Sequence, residues 1–166
     1  MLTVMRAGMY TTVQDCGRDG LRQSGVSRCG AMDKPALMTA NLLVGNDANA
    51  AALEITLGMA AFRFARDGWF ALTGAGCEAT LDGEAVWSGW RHWAKAGQTL
   101  TLKRPQHGIR SYLALAGGID VPAVMGSRST DLNVGIGGLE GRRLQDGDVL
   151  PLGQPSRTFK EPRGVK

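Results

Sequence analysis

The sequence has few of the residues that build common catalytic centres. Its 166 residues include only two histidines, His92 and His107, and three cysteines, Cys16, Cys29 and Cys77. Neither histidine lies beside a cysteine or in a metal-ligand spacing, so no metal site is predicted. An odd number of cysteines without close pairs is typical of a reducing compartment, and we therefore expect a cytoplasmic protein.

Motifs for membrane spanning and for nucleotide binding are also missing. No segment reaches the ~18 apolar residues of a spanning helix, and no Gly-x-x-x-x-Gly-Lys-Ser/Thr phosphate loop occurs. The Gly-x-Gly of Leu72–Gly76 lacks the third glycine and the following helix of a dinucleotide site. If this protein handles ATP, it does so without these motifs or with the help of a partner.

Basic residues are scattered and aromatic residues are few. The net charge is +4 and aromatic residues make up 6% of the chain, whereas a nucleic-acid surface needs clustered basic residues interleaved with aromatics. Nucleic-acid binding is therefore disfavoured. Glycine, in contrast, is abundant at 24 residues, which favours many turns and short strands.

Short β-like runs separated by turn signals predict a mainly β fold. Asp82-Gly83 is a two-residue hairpin signal, and one helix is predicted at about Lys34–Val44, with Asp33 as its N-cap and Gly45 at its C-terminal end. The other predicted strands are Leu2–Arg6, Thr11–Asp15, Leu53–Leu57, Ala61–Ala65, Trp69–Thr73, Trp90–Ala94, Thr99–Lys103 and Ile109–Ala116. We predict a β-barrel domain over residues 1–153 with one flanking helix, and a linker-like tail over residues 154–166, QPSRTFKEPRGVK.

The first glycine-rich segment, Thr11–Asp33, has the composition of a binding loop. It holds four glycines, three arginines and three aspartates, with almost no apolar run after Val13. Long ordered segments without secondary structure are usually functional, and arginines offer forked donors to an anion. Cys16 beside Arg18 also suggests a thiol of lowered pKa, although a small packed residue is the more common role for such a cysteine.

The second glycine-rich segment, Gly126–Gly141, has similar ingredients. It combines five glycines in sixteen residues with hydroxyls, an arginine and a carboxylate. Successive backbone N–H groups in such a loop form a concavity for an anion. The alternative is a capped turn, in which Asp131 and the hydroxyls satisfy local backbone groups.

If the barrel brings the two segments together, a shared site follows. Arg18, Arg22 or Arg28 would face Arg128 across a cleft, and Glu54 would add a further carboxylate. The residues predicted to be catalytic are Asp15, Asp33 and Asp131. Those predicted to bind substrate or an anion are Gln14, Arg18, Arg28, Ser127, Arg128, Ser129 and Thr130.

The order of several motifs resembles one known family. GMYTTVQDCGRDG, SGVSRCGAMD, NLLVGNDANAAALEITLG, LTGAG, LALAGGIDVP and GSRSTDL follow each other along nearly the whole chain. In this order they resemble the allophanate-hydrolase-subunit-2 or KipA-type carboxyltransferase family. The resemblance implies a cyclophilin-like β-barrel and a site at the contact with a KipI-type partner subunit.

The branch of the family that the motifs resemble most implies a hydrolase subunit. Such complexes contain the KipI-type subunit and a third subunit, and they use ATP, with Mg²⁺ possible, to convert 5-oxo-L-proline to L-glutamate. Phosphoryl activation of the lactam oxygen followed by hydrolysis is a plausible route, and it needs charge-stabilising donors around the phosphate. No partner of the nucleic-acid or membrane class is expected.

Two other functions stay open within the same family. One is a biotin-dependent carboxyltransferase domain of the urea carboxylase and allophanate pathway, with biotin brought by a partner because the chain has no Met-Lys-Met acceptor. The other is a KipA-type regulatory binding protein. Members of the family are longer than this chain, so we expect a fragment that is inactive by itself.

Overall fold

The chain folds into short strands with a single α-helix, as the computed structural model, which describes residues 1–165, shows. A 3-10 turn lies at Arg22–Ser24, in the long connection before the helix. The elements are β1 (Leu2–Arg6), β2 (Tyr10–Gln14), α1 (Lys34–Leu43), β3 (Ala52–Thr56), β4 (Ala61–Phe64), β5 (Gly68–Gly76), β6 (Ala79–Leu81), β7 (Glu84–Val86), β8 (Trp90–Ala94), β9 (Thr99–Leu102), β10 (His107–Leu115), β11 (Val149–Leu150) and β12 (Arg163–Gly164). The predicted mainly β fold with one flanking helix is confirmed.

The strands form two antiparallel sheets. The first sheet has the order β11-β1-β4-β9-β6-β7, and the second has the order β12-β8-β5-β10-β3-β2. In the middle of the second sheet Leu113 of β10 lies opposite Leu72 of β5 and Leu53 of β3. Successive side chains of a strand point to opposite faces, so each of these strands supplies residues to two different cores.

The inner core lies between the two sheets. Phe62 of β4 and Leu100 of β9 come from the first sheet, and Leu53, Phe70 and Leu113 come from the second. All five side chains are fully buried. Burial of this apolar surface is the main favourable contribution to folding, so the inner core fixes how the sheets face each other.

The outer core lies between α1 and the outer face of the second sheet. Leu37 and Ala40 of the helix pack with Ala71, Tyr112 and Ala114 of β5 and β10. These strand residues alternate with those of the inner core, because successive side chains of a strand point to opposite faces and both faces are buried here. The helix therefore covers the centre of the second sheet.

The ends of the helix follow the predicted signals. The Asp33 side chain accepts a hydrogen bond from the N–H of Ala36 at 3.1 Å, which satisfies one of the free donors at the helix start. At the other end Gly45 has a positive φ of 79° and donates to the carbonyl of Leu42 at 3.1 Å. Both predicted caps are confirmed, and α1 ends one residue before the predicted Val44.

The Asp82-Gly83 hairpin is also confirmed. Asp82 and Gly83 have φ values of 48° and 87°, and they connect β6 to β7 with Leu81 opposite Glu84. Positive φ at both central residues is the requirement of a type I′ turn. The sequence pair therefore specifies this connection directly.

Residues 154–165 lie against the second sheet. Phe159 packs edge-on against Trp69, with ring centroids 6.1 Å apart, and the Arg91 guanidinium lies 3.7 Å from the centre of the Phe159 ring. Next to this contact β12 pairs with β8, where Arg163 lies opposite Arg91. The division of the chain into residues 1–153 and a tail stays a prediction.

Candidate functional site

The two glycine-rich segments meet in the structure, so the condition for a shared site is fulfilled. The first segment leaves β2 after Gln14 and returns along itself, with Ala31 N–H bonded to the carbonyl of Asp15 at 2.9 Å. A Cβ atom on Gly17 would lie 2.7 Å from the carbonyl oxygens of Arg28 and Cys29, so the return requires a glycine there. The segment is a closed loop rather than an open polar stretch, and its first residues belong to β2.

Asp15 connects this loop to the second segment. The hydroxyls of Ser127 and Ser129 donate to its Oδ1 at 2.6 and 2.7 Å, and the N–H of Gly17 donates to the same atom at 2.8 Å. The N–H of Arg128 donates to Oδ2 at 2.7 Å. Because Asp15 is only 4% exposed, these bonds replace the water that a buried carboxylate would otherwise need.

Arg18 is buried in the same contact. Its Nε donates to the carbonyl of Val124 at 2.9 Å, and its Nη2 donates to the carbonyl of Ser129 at 2.8 Å. The residue is 2% exposed, and Nη1 is buried without a hydrogen-bond partner among residues 1–165. The expectation that Arg18 faces Arg128 across a cleft is therefore wrong, because the guanidinium is held by backbone carbonyls of the second segment.

Several backbone donors of the second segment are also bonded within the protein. The N–H of Ser127 bonds to Val124, that of Ser129 to the Ser127 hydroxyl, that of Thr130 to Val13 and that of Asp131 to Ile136. The Asp131 carboxylate accepts from the N–H of Asn133 at 3.0 Å, which is a local turn contact. Asp131 thus forms a local turn, as in the capped-turn alternative, whereas the hydroxyls of Ser127 and Ser129 bind Asp15 of the first segment.

The remaining predicted residues of the two segments have separate surroundings. Gln14 is buried and donates to the hydroxyl of Thr12 at 3.0 Å, and the Thr130 hydroxyl donates to the carbonyl of Val13 at 2.9 Å. Arg128 donates from Nε to the carbonyl of Val121 at 2.8 Å. Arg28 forms an exposed ion pair with Asp19 at 2.9 Å. The substrate- or anion-binding roles of these residues stay predictions, as do the catalytic roles of Asp15, Asp33 and Asp131.

Burial raises the pKa of the Cys16 thiol, so the thiolate is disfavoured. The suggestion of a thiol of lowered pKa is therefore wrong, and Cys16 packs against the outer core as a small, partly buried residue. Among residues 1–165 no group of three histidine, cysteine or acidic side chains has a geometry suited to a metal ion. Over the same residues no helix is long and apolar enough to cross a membrane.

Asp33 lies apart from Asp15 and Asp131, in a second polar cluster. Its N–H donates to the phenol oxygen of Tyr112 at 2.9 Å, and that phenol donates to Oε2 of Glu54 at 2.8 Å. The N–H of Met32 donates to the same Glu54 oxygen at 2.9 Å. Burial, more than the neighbouring Glu54, raises the pKa of Tyr112, so the phenol stays protonated as the donor.

A cavity of about 660 Å³ opens beside this second cluster. It is lined by Met32, Asp33, Gly74–Gly76 and His107–Arg110, and we call it the bulge cavity because β10 is bulged there. Tyr112 and Arg110 were not predicted as site residues. Both residues lie on β10. The alternation of side chains along a strand predicts the face on which each residue lies, but no local motif in the sequence indicates their contact with Glu54.

Comparison with known proteins gives the class of the chain. The model of the carboxyltransferase domain family, subdomain A and B, matches residues 24–165. The chain therefore belongs to this family.

Curated relatives within the family fall into two groups. Over 166 residues the chain is 73% identical to the C subunit of 5-oxoprolinase from Escherichia coli (strain K12), and over 150 residues it is 45% identical to the subunit of the same name from Haemophilus influenzae. Over 146 residues it is 40% identical to urea amidolyase of Saccharomyces cerevisiae. These matches cover 100%, 90% and 87% of this chain, but 54%, 48% and 8% of the respective relatives. The chain thus spans about half the length of the 5-oxoprolinase subunits.

Two solved structures resemble the chain over nearly its whole length. The crystal structure of TTHA0988 superposes with a TM-score of 0.90 at 36% identity, covering 99% of this chain and 60% of that chain. Urea amidolyase of K. lactis superposes with a TM-score of 0.88 at 37% identity, covering 98% of this chain and 10% of that chain. The two-sheet fold is thus shared with TTHA0988 and with a urea amidolyase.

Proposed function

We propose that this chain acts as part of the C subunit of an ATP-dependent 5-oxoprolinase. The complex would open the lactam of 5-oxo-L-proline to L-glutamate together with a KipI-type subunit and a third subunit. The observation that carries the proposal is the 73% identity with the Escherichia coli subunit across all 166 residues. The reaction is a hydrolysis coupled to ATP, and we place the complex in the cytoplasm.

In this proposal the second glycine-rich segment does not hold the ATP. Its donors are bonded to Asp15 and to neighbouring carbonyls, so a phosphate group would have to displace several buried hydrogen bonds. We assign ATP, and Mg²⁺ with it, to the complex as a whole. The contribution of this chain would then be a wall of the site and a surface for the partner subunits.

A biotin-dependent carboxyltransferase domain is the second candidate. The family description and the 40% identity with a urea amidolyase favour it. In that case biotin would be presented by a partner and would carry the carboxyl group. The KipA-type regulatory role stays a prediction without a further supporting observation.

A chimera tests the first candidate against the second. This chain would replace the matching half of the Escherichia coli relative, and the fusion would be purified with the other Escherichia coli subunits. We expect ATP-dependent formation of glutamate from 5-oxo-L-proline by the fusion, and none by the 166-residue chain supplied alone with the same subunits.

The matched control is a fusion that carries the corresponding segment of the Saccharomyces cerevisiae urea amidolyase, which should not support the reaction. Carboxyl transfer from carboxybiotin without glutamate formation by the first fusion would reverse the order of the two candidates. Glutamate formation by the unfused chain would contradict the expected inactivity of the fragment.

A further inference from the structure

The bulge cavity exists because β10 leaves its regular pairing with β5. His107 pairs with Gly76 and Ser111 pairs with Gly74, so residues 108–110 stand opposite the single residue Ala75. Such bulges redirect side chains and are common beside functional sites. Here the bulge places Arg110 at the wall of the cavity.

Small residues keep this opening free. Gly74 has a φ of 88°, and a Cβ atom there would lie 2.5 Å from the carbonyl oxygen of Arg110. Gly108 has a φ of 78°, and its Cβ atom would lie 3.1 Å from that of Ala75. Larger residues at Gly74 or Gly108 would push β5 and the bulge apart, so both glycines are required by the local shape.

Arg110 has unused hydrogen-bonding capacity at the cavity wall. Its side chain is 34% exposed, and its Nε lies 3.8 Å from Oε1 of Glu54, which is too far for a hydrogen bond. The Nε atom is buried and has no hydrogen-bond partner among residues 1–165. A buried donor without a partner is unfavourable, and a bound acceptor that drew the guanidinium into the cavity would relieve this cost.

Glu54 is held in a fixed orientation beside Arg110. Its Oε2 accepts from Tyr112 and from the N–H of Met32, which leaves Oε1 turned toward the guanidinium. The side chain is only 7% exposed, so its charge is balanced mainly by Arg110. Glu54 therefore orients the guanidinium without closing its outer side.

We propose that the bulge cavity binds the carboxylate of a small organic acid, with Arg110 as the binding residue and Glu54 as the positioning residue. A guanidinium matches a carboxylate through two parallel hydrogen bonds. Asp33 also lines the cavity, and its negative charge disfavours a multiply charged phosphate more than a single carboxylate. Met32, Ala75 and Ile109 supply apolar surface for the carbon frame of the acid.

With the proposed function, on which this identification of the ligand rests, the acid is 5-oxo-L-proline. Binding of 5-oxo-L-proline to the 166-residue chain, measured by calorimetry, tests the site. We expect Arg110→Met to weaken this binding roughly 10- to 100-fold, the range expected for losing a charged hydrogen-bonding partner. The matched control is Arg104→Met, which removes the same charge from an exposed position before β10 that does not line the cavity and should leave binding unchanged.

Two further ligands identify the group that is recognised. 2-Pyrrolidinone has the lactam ring without the carboxylate, and it should bind far more weakly than 5-oxo-L-proline. Equal binding of the two ligands, or unchanged binding of 5-oxo-L-proline by Arg110→Met, would overturn the proposal. Binding of inorganic phosphate that depends on Arg110 and is tighter than that of 5-oxo-L-proline would overturn it as well.

Kinetics of the chimeric complex separate positioning from folding. Arg110→Met should raise KM for 5-oxo-L-proline with KM for ATP unchanged, and Arg110→Lys should recover part of the loss. Glu54→Gln should raise the same KM by a smaller factor, with near-ultraviolet circular dichroism confirming that the variants are folded. A rise in KM for ATP alone would contradict the assignment.

Failure of the unsubstituted chimera to form glutamate would overturn the proposed function, whereas the binding measurements on the chain would still decide the role of Arg110.

Discussion

At the scale of single residues, the charge of Asp15 decides how the two glycine-rich segments are joined. Its carboxylate accepts from two hydroxyls and two backbone N–H groups. In Asp15→Asn an amide NH2 would replace one oxygen and face at least one of these donors. We expect the free energy of unfolding to fall by about 2–4 kcal/mol, measured by urea denaturation.

The control for Asp15→Asn is Asp19→Asn, which removes a carboxylate from the exposed ion pair with Arg28 in the same loop. Exposed pairs contribute little, so this variant should unfold at the wild-type urea concentration. An unchanged midpoint for Asp15→Asn would contradict the structural role.

Gly137 gives a second prediction at this scale. A Cβ atom there would overlap the carbonyl oxygen of Ser129 and lie 2.5 Å from Nη2 of Arg18, so Gly137→Ala should break their hydrogen bond. Gly135 has nearly the same φ, 70° against 72°, but open space around its Cβ position. Gly135→Ala should therefore cost about 1–2 kcal/mol from backbone strain alone, and Gly137→Ala clearly more. Equal losses in thermal unfolding would show that the Arg18 contact is unimportant.

At the scale of elements, the turn before β11 depends on one ion pair. Arg142 holds both oxygens of Asp148, with Nη1–Oδ2 at 2.8 Å and Nη2–Oδ1 at 3.0 Å, and Asp148 is 13% exposed. The carbonyl of Asp148 accepts from the N–H of Val4, which connects the turn to β1. The bond from Arg142 holds the pKa of Asp148 below its usual range.

This pKa shift predicts the sensitivity of the protein to acid. A carboxyl whose pKa is lower in the folded state stabilises the fold above its unfolded pKa near 3.9, and this contribution is lost as the pH falls through the folded value. Asp148→Asn should therefore lower the free energy of unfolding by about 1–2 kcal/mol at pH 7. This difference from the wild type should disappear in acid. Asp120→Asn, at an exposed position, is the control. A constant difference between Asp148→Asn and wild type at all pH values would contradict this linkage.

The elements also show what the sequence could and could not specify. The caps of α1 and the Asp82-Gly83 turn are local, so residues within a few positions determine them, and their prediction succeeded. The similar composition of the two segments suggested a shared site if they met, but their meeting and the partner of each donor depend on tertiary placement. Arg18 illustrates the difference, because an arginine suited to an anion is equally suited to carbonyl oxygens. The bulge of β10 has no signature in the sequence beyond its glycine.

At the scale of the whole molecule, the two cores are linked through shared strands. β5 supplies Phe70 to the inner core and Ala71 to the outer core, and β10 supplies Leu113 and Ala114 in the same way. Loss of either core exposes the other face of the same strands. We therefore expect one cooperative unfolding transition, in which tryptophan fluorescence and far-ultraviolet circular dichroism change together in urea. Separate midpoints would show that the outer core unfolds independently.

The position of β12 has a consequence for the behaviour of the protein in concentrated solution. The strand covers the side of β8 that would otherwise offer free backbone donors and acceptors to another molecule, next to the exposed rings of Trp90 and Trp93. Open sheet edges of this kind are templates for aggregation. The two residues of β12, held in place by Phe159, thus block intermolecular strand pairing at this edge of β8.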